Sequence, residues 1–500
     1  MKYISTRGNF RKVESAEAIK LGMVPPGGLF VPEEIPRIDQ NQLDSLVGKS
    51  YQEVARAILP LFLTDYSPVE IDECIEGAYN SSNFDNPDMA PLHKLDDRTY
   101  VMELWHGPTA AFKDMALQIM PHFLSRAIKK VGVDKEVVIL VATSGDTGKA
   151  ALEGFKNVPG IKIIVFYPRG GVSKVQELQM TTTDGDNTYV AAVRGNFDDC
   201  QNEVKNIFGD PVFNEFMAGK GYELSSANSI NWGRLLPQIV YYFWAYLDLV
   251  AQNAVENGQG VNFVVPTGNF GNILAAYYAY RMGLPVHKLI CASNENKVLT
   301  EFFDTGVYDR NREFIRTNSP SMDILISSNL ERFLFEITGH KGEKISEWLG
   351  QLGAGGRFVV DPEVKDEISS ILTAGFADEG KTLQTIREVN QKYGYTVDTH
   401  TAVGLRVYFD YVAKTDDHTV TVIDSTASPF KFNQAVLEAI KGREAIEGKD
   451  ELDILDDLSA ASGMEIHPGL RNLDSKSVVH HMVVDKDAIQ ETIKGILKLG

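Results

Sequence analysis

Cysteine is scarce in this 500-residue chain: Cys74, Cys200 and Cys291 are the three, far apart and odd in number. No CxxC pair and no Cys/His metal-ligand spacing occurs. A disulfide framework and a metal site are therefore not expected, and buried free thiols in a reducing compartment are. Positive charge is also in deficit, with 49 Lys and Arg against 68 Asp and Glu and a net charge of −19. A chain this acidic repels nucleic acid unless a basic patch reverses the field locally, and the sequence offers none. No apolar run reaches the length of a membrane span, and MKYISTRGNF lacks the apolar core of a signal peptide. An Arg- and Ser-rich leader is missing as well, so the expectation is a cytoplasmic protein without a membrane partner. No 20–50-residue repeat, Walker loop or GxGxxG fingerprint appears, which weakens solenoid and nucleotide-binding readings.

What is present is ordinary globular composition, 43% hydrophobic and 23% charged, over a length that calls for two or three domains. Residues 1–92 read as a separate unit: a strand and turn in MKYISTRGNF, loop chemistry in PPGGLFVPEEIP, and an amphipathic helix broken by Pro60 in YQEVARAILPLF. Beyond it, β-rich apolar runs such as KEVVILVAT, IKIIVFYP, VNFVVPTG and TVTVIDST alternate with helical stretches. Short, nearly continuous apolar strands between helices are the mark of buried parallel strands, so the fold class is α/β. The stretch 341–392 reads as a charged, mostly helical insertion.

Two strands run into Gly-rich polar turns that open helices, and such turns place ligands at the carboxyl ends of parallel strands. In PTGNFGN, Gly268 and Gly271 permit close backbone approach, and a helix from about Ile273 offers unpaired N–H groups. A phosphate cradle and a tight capped turn fit that spacing equally. In TSGDTG, Thr143 to Gly148, the hydroxyls and N–H groups suit a carboxylate, with Asp146 positioning; a cap by Ser144 or Asp146 fits better on local grounds. Ser229, Asn231 and Arg234 gather at another helix start, where guanidinium could bind an oxyanion bidentately. Ser173 and Lys174 lie in a similar cationic turn, and Thr426 ends a buried strand.

One lysine stands out in LWHGPTAAFKDMALQ. A helix start favours anions, so Asp114 fits and Lys113 opposes. An amine reacts with a carbonyl only when neutral, and a reference pKa of about 10.4 must first be lowered by burial or positive potential. The helix start supplies only about 0.3–1 kcal/mol, leaving burial among Ala110, Ala111, Phe112 and Met115 to do the rest. Local features alone fit an exposed lysine better.

The motifs HGPTAAFKD, TSGDTG, VSKVQELQM, SINWGR, PTGNFGN and STASPFKF, in this order, resemble the threonine synthases of the bacterial and fungal branch. YISTRG and GGLFVPEEIP are similar to that family's N-terminal domain. The resemblance implies a pyridoxal 5'-phosphate (PLP) enzyme of fold type II, with two open parallel-sheet α/β domains and an N-terminal α+β domain. The domains implied are 1–92, a large unit of 93–135 and 233–500 carrying the 341–392 insertion, and a small unit of 136–232. It implies Lys113 as Schiff-base lysine and proton shuttle, Gly268, Asn269, Phe270, Gly271 and Asn272 around the cofactor phosphate and ring, and Thr426 on the pyridine nitrogen. Ser144, Gly145, Asp146 and Thr147 would face the substrate carboxylate, with Ser229, Asn231 and Arg234 near its phosphate and Ser173 and Lys174 as further substrate contacts. The implied reaction turns O-phospho-L-homoserine and water into L-threonine and phosphate, in a monomer or homodimer. Two departures stand: Ser428 replaces an expected His, and Asn272 occupies a position that varies between Asn and Asp. The alternatives are a PLP lyase releasing 2-oxobutanoate and ammonia, and a non-catalytic metabolite-binding protein.

Overall fold

Buried β-branched runs build two parallel sheets whose carboxyl edges face a common cleft. The computed structural model describes residues 1–132 and 134–499; Val133 and Gly500, both assigned above to the large unit, lie outside the described residues. The larger sheet runs Leu372–Phe376, Val286–Ser293, Val261–Pro266, Thr421–Ser425, Thr99–Glu103, Leu92–Lys94, parallel except for the last strand. The smaller runs Met482–Asp485, Thr188–Arg194, Ile161–Pro168, Glu136–Ala142, Tyr222–Ser225, parallel throughout. Central strands such as Val261–Pro266 and Thr421–Ser425 are buried at every residue, because helices cover both faces.

The N-terminal segment pairs Tyr3–Ser5 antiparallel with Phe30–Pro32 and adds the helices Ser15–Leu21, Tyr51–Phe62 and Pro68–Ala78. It is tied to the rest by Arg7, whose guanidinium donates to both oxygens of Glu331 at 3.0 and 2.9 Å, and by Trp232 packed on Tyr3 and Phe62. Pro60 does not break its helix. It sits in the last turn, where the missing N–H costs one bond and the buried stripe Tyr51, Val54, Ile58, Leu59, Phe62 keeps the turn in place.

Two readings of the sequence need correction. The stretch 341–392 is mostly helical, with three helices, but it is not simply a helical insertion, because it also holds two strands. Arg357–Val359 pairs with Val307–Asp309, and Leu372–Phe376 is the edge of the larger sheet. LTAGF is short and half-buried, so it carries no buried-strand signal. The assignment of everything after 233 to the large unit also fails, because Met482–Asp485 closes the edge of the smaller sheet and the helix Ile489–Ile496 packs into that sheet's core. This strand is largely exposed, and its pairing partner is remote in sequence. All three cysteines are free and buried. Among the described residues no helix is long and apolar enough to cross a membrane.

Candidate active site

The loop after Thr99–Glu103 is fastened to the loop after Thr421–Ser425. Leu104 N–H donates to Ser425 O at 3.0 Å, Phe112 N–H to Thr426 O at 2.8 Å, and Ser428 N–H to Ala110 O at 3.0 Å. Ala110 adopts a left-handed φ of 60° to make this turn. Asp114 locks it from within, its carboxylate accepting from Thr109 N–H and Oγ1, both at 2.8 Å; burial pushes its pKa up to about 6. The helix that follows is one turn long, Asp114–Leu117, so its dipole contributes little at Lys113.

Lys113 is 7% exposed on the wall of a cavity. Its Nζ lies 3.1 Å from Asp146 Oδ2 and 3.3 Å from Ser321 Oγ. Burial lowers its pKa, Asp146 opposes, and Lys431 and Arg234 add to the lowering. The neighbourhood is thus a carboxylate between two ammonium groups, rather than the purely positive one a helix start would give. Asp146 Oδ1 forms an ion pair with Lys431 Nζ at 2.9 Å and accepts from Gln176 Nε2 at 3.0 Å. Burial penalises the Asp146 carboxylate, but Lys113 and Lys431 outweigh it and hold the pKa well below the usual range.

Asp146 opens the helix Asp146–Phe155, which is capped by neither Ser144 nor Asp146. Thr143 Oγ1 accepts from Gly145 and Gly148 N–H, both at 2.9 Å, which leaves Ser144, Asp146 and Thr147 on the cavity wall. Gly145 itself lies behind it. At φ 133° a Cβ there would fall 2.5 Å from Gln176 Cδ, so only glycine lets Gln176 reach Asp146.

Across the cavity, Gly268 to Asn272 form its wall with Thr426. The helix there spans Gly271–Met282, starting two residues before Ile273. Its cap residue, Phe270, has φ 63° and makes no side-chain cap, so the first-turn N–H groups face the cavity without one. That donor set fits a phosphate. The Asn272 side chain is engaged elsewhere. Its Nδ2 donates to Asp424 Oδ2 at 3.0 Å, and its Oδ1 accepts from the Tyr241 and Tyr242 hydroxyls. Tyr242 also donates to Asp424 Oδ2 at 2.7 Å, while Asp424 Oδ1 has no partner, and burial raises the Asp424 pKa to about 7.

Ser229 and Arg234 line the same cavity. Arg234 is buried, its Nη1 donates to Ala227 O at 3.0 Å, and burial lowers its pKa to about 10. The structure does not bring Asn231, Ser173 or Lys174 there. Asn231 Oδ1 caps its helix through Gly233 N–H while Nδ2 donates to Ile19 O and Ser226 O. Ser173 caps the helix Lys174–Thr181, and Lys174 pairs with Asp450 at 2.6 Å on the surface.

Sequence reasoning missed Ser321, His400 and Lys431. Ser321 N–H donates to His400 Nε2 at 3.2 Å, which leaves His400 Nδ1 to donate to Asp398 Oδ2 at 2.9 Å. Neither Ser321 nor His400 lies in a recognisable motif. Lys431 stands inside STASPFKF, and a lysine in an apolar turn was its one available signal. Ser428, where a His was expected, is buried with an unpartnered hydroxyl.

Comparison with known proteins gives the family of the chain as a whole. Residues 2–79 match the model for the threonine synthase N terminus, 87–425 that for pyridoxal-phosphate dependent enzymes, and 401–461 that for the threonine synthase C-terminal region. The chain is 40% identical to threonine synthase of Pseudomonas aeruginosa, covering 88% of this chain and 90% of that one. It is 42% identical to Threonine synthase-like 1 of Macaca fascicularis over 86% of its own length, but spans only 58% of that relative. The crystal structure of PLP-bound threonine synthase from Brucella melitensis superposes with a TM-score of 0.87 at 36% identity, covering 99% of both chains. The chain belongs to the threonine synthase family of pyridoxal-phosphate-dependent enzymes.

Proposed function

We propose that this chain converts O-phospho-L-homoserine and water to L-threonine and phosphate, with PLP linked to Lys113. The observation that carries the reading is a buried amine, Lys113, in one cavity with two separate sets of anion donors: the uncapped Gly271–Met282 helix start and Arg234. The reaction needs both, one for the cofactor phosphate and one for the leaving phosphate.

When bound, PLP supplies an electron sink for charge developing at the substrate carbons. The Gly268–Asn272 turn would hold its phosphate, and the Thr426 hydroxyl its ring nitrogen. Ser144 and Thr147 would hold the substrate carboxylate, and Ser229 with Arg234 its phosphate. Lys113 Nζ would take and return protons at Cα, Cβ and Cγ, which its depressed basicity favours. Asp146 keeps that amine at a fixed place on the cavity wall. On this reading the working site lies between a large unit built on the six-stranded sheet and a small unit of 136–232 joined by the C-terminal strand, with 1–92 as a support.

The test is a coupled assay of phosphate release and threonine formation from O-phosphohomoserine. Equal amounts of both products support the reading. Phosphate with 2-oxobutanoate and ammonia, and little threonine, would replace it by an eliminating lyase.

A further inference from the structure

Two buried ammonium groups share a single carboxylate: Lys113 Nζ stands 3.1 Å from Asp146 Oδ2, and Lys431 Nζ 2.9 Å from Asp146 Oδ1. A buried lysine beside a carboxylate of its own is an ion pair, and an ion pair favours the ammonium form. Only the neutral amine has the lone pair that adds to an aldehyde carbon, with water then leaving as the carbon–nitrogen double bond forms. Lys431 changes this balance in two ways: it repels a charge on Lys113, and it draws on the charge of Asp146.

Lys431 cannot drift from that position. Its Nζ also donates to Thr109 O at 3.0 Å and to Gln179 Oε1 at 3.1 Å, and its side chain is fully buried. Thr109 belongs to the loop that carries Lys113, and Lys431 to the loop fastened against it. The spacing of the two lysines is therefore set by one backbone framework. The charged groups acting on Lys113 are Asp146, Lys431 and Arg234, with His400 reached through Ser321. Besides Lys113, those under the influence of Lys431 are Asp146, Asp114, Lys149 and His467, and among the described charged residues only Asp146 is paired with it.

We propose that Lys431, by holding the second oxygen of Asp146, sets the fraction of Lys113 that stands as a free amine and hence how readily the chain takes up PLP. Lys431 is a positioning residue in this role, acting on Lys113 both by direct repulsion and through Asp146. The inference rests on the reading of Lys113 as the cofactor lysine.

The full chain is stripped of PLP, and the rate of covalent reloading is followed against pH by visible absorbance. Borohydride reduction and peptide mass locate the label at Lys113. Lys431→Gln keeps a donor for Asp146 and removes the charge. Its loading profile moves to higher pH by about one unit, roughly a tenfold slower uptake near neutrality. Lys431→Arg, which keeps the charge, retains the wild-type profile. In an Asp146→Asn background, Lys431→Gln moves the profile less than it does in wild type, because only the direct repulsion between the two lysines remains. Coincident profiles for wild type and Lys431→Gln, or an equal shift in Lys431→Arg, overturn the inference alone. A wild-type chain that never links PLP to Lys113 overturns the underlying reading with it. Circular dichroism checks folding; where Lys431→Gln does not fold, Asp146→Asn must move the profile to lower pH, and any other result overturns the proposal.

Discussion

Phe112 and Thr426 are joined through the backbone, the N–H of one donating to the carbonyl of the other at 2.8 Å. The residue after Phe112 is the buried lysine, and Thr426 carries the hydroxyl at the end of a central strand. These two groups, remote in sequence, are therefore held at fixed separation before any ligand arrives.

Replacing Lys113 by Ala removes the buried amine that this framework delivers to the cavity wall shared with Thr426. PLP then binds without a covalent link, and the visible absorbance of the linkage is lost. Threonine formation falls by on the order of 10³-fold or more. Absorbance spectra and the product assay check both.

Thr426→Val keeps the shape of the side chain and removes its hydroxyl. One hydrogen bond, about 0.5–1.5 kcal/mol, corresponds to a loss of roughly 3–10-fold in PLP affinity. Thr426→Ser restores most of it. Titration of the stripped chain with PLP, followed by fluorescence, measures the difference.

Arg234→Gln removes the buried cation from the cavity that the Gly271 helix start also lines. The KM for O-phosphohomoserine rises by about 10–100-fold, the scale of hydrogen bonds to a charged group, while PLP affinity stays near wild type. A fall in PLP affinity with an unchanged KM would place the cofactor phosphate, and not the substrate's, on Arg234.

Asp424 gives a pH signature. Its pKa is raised by burial from 3.8 to about 7, so the folded chain holds a proton that the unfolded chain releases. That contribution is complete below about pH 4 and is lost as pH rises through 7, amounting to about 4 kcal/mol in total. Asp424→Asn keeps an acceptor for Tyr242 and Asn272 and cannot ionise. Between pH 5 and 8 its urea stability is flatter than that of wild type, and the two curves separate most at the alkaline end.

The α/β class and the central strands were legible because their apolar runs are buried on both faces and their burial needs no knowledge of the neighbours. Leu372–Phe376 and Met482–Asp485 were not, since each is an exposed or half-buried edge defined by its partner. In the site, Lys113, the Gly268–Asn272 turn and Thr426 stand in motifs that the family resemblance marks, whereas local chemistry alone favoured an exposed lysine and left the turn undecided. Asp146 was marked as positioning but not as the carboxylate between two lysines, because the second one comes from nearly three hundred residues further on. Asn231 and Ser173 have the composition of ligand donors. Their side chains are consumed by helix caps, a use that residue type alone cannot distinguish from binding.

The outer strand of the smaller sheet has a consequence for biogenesis. Thr188–Arg194 emerges from the ribosome long before Met482–Asp485, the strand that covers its free edge. At about 5–20 residues per second that edge waits unpaired for tens of seconds. An unpaired parallel edge is a template for pairing with another nascent chain. The speed of translation, rather than the stability of the finished molecule, thus sets the period during which this protein is open to aggregation.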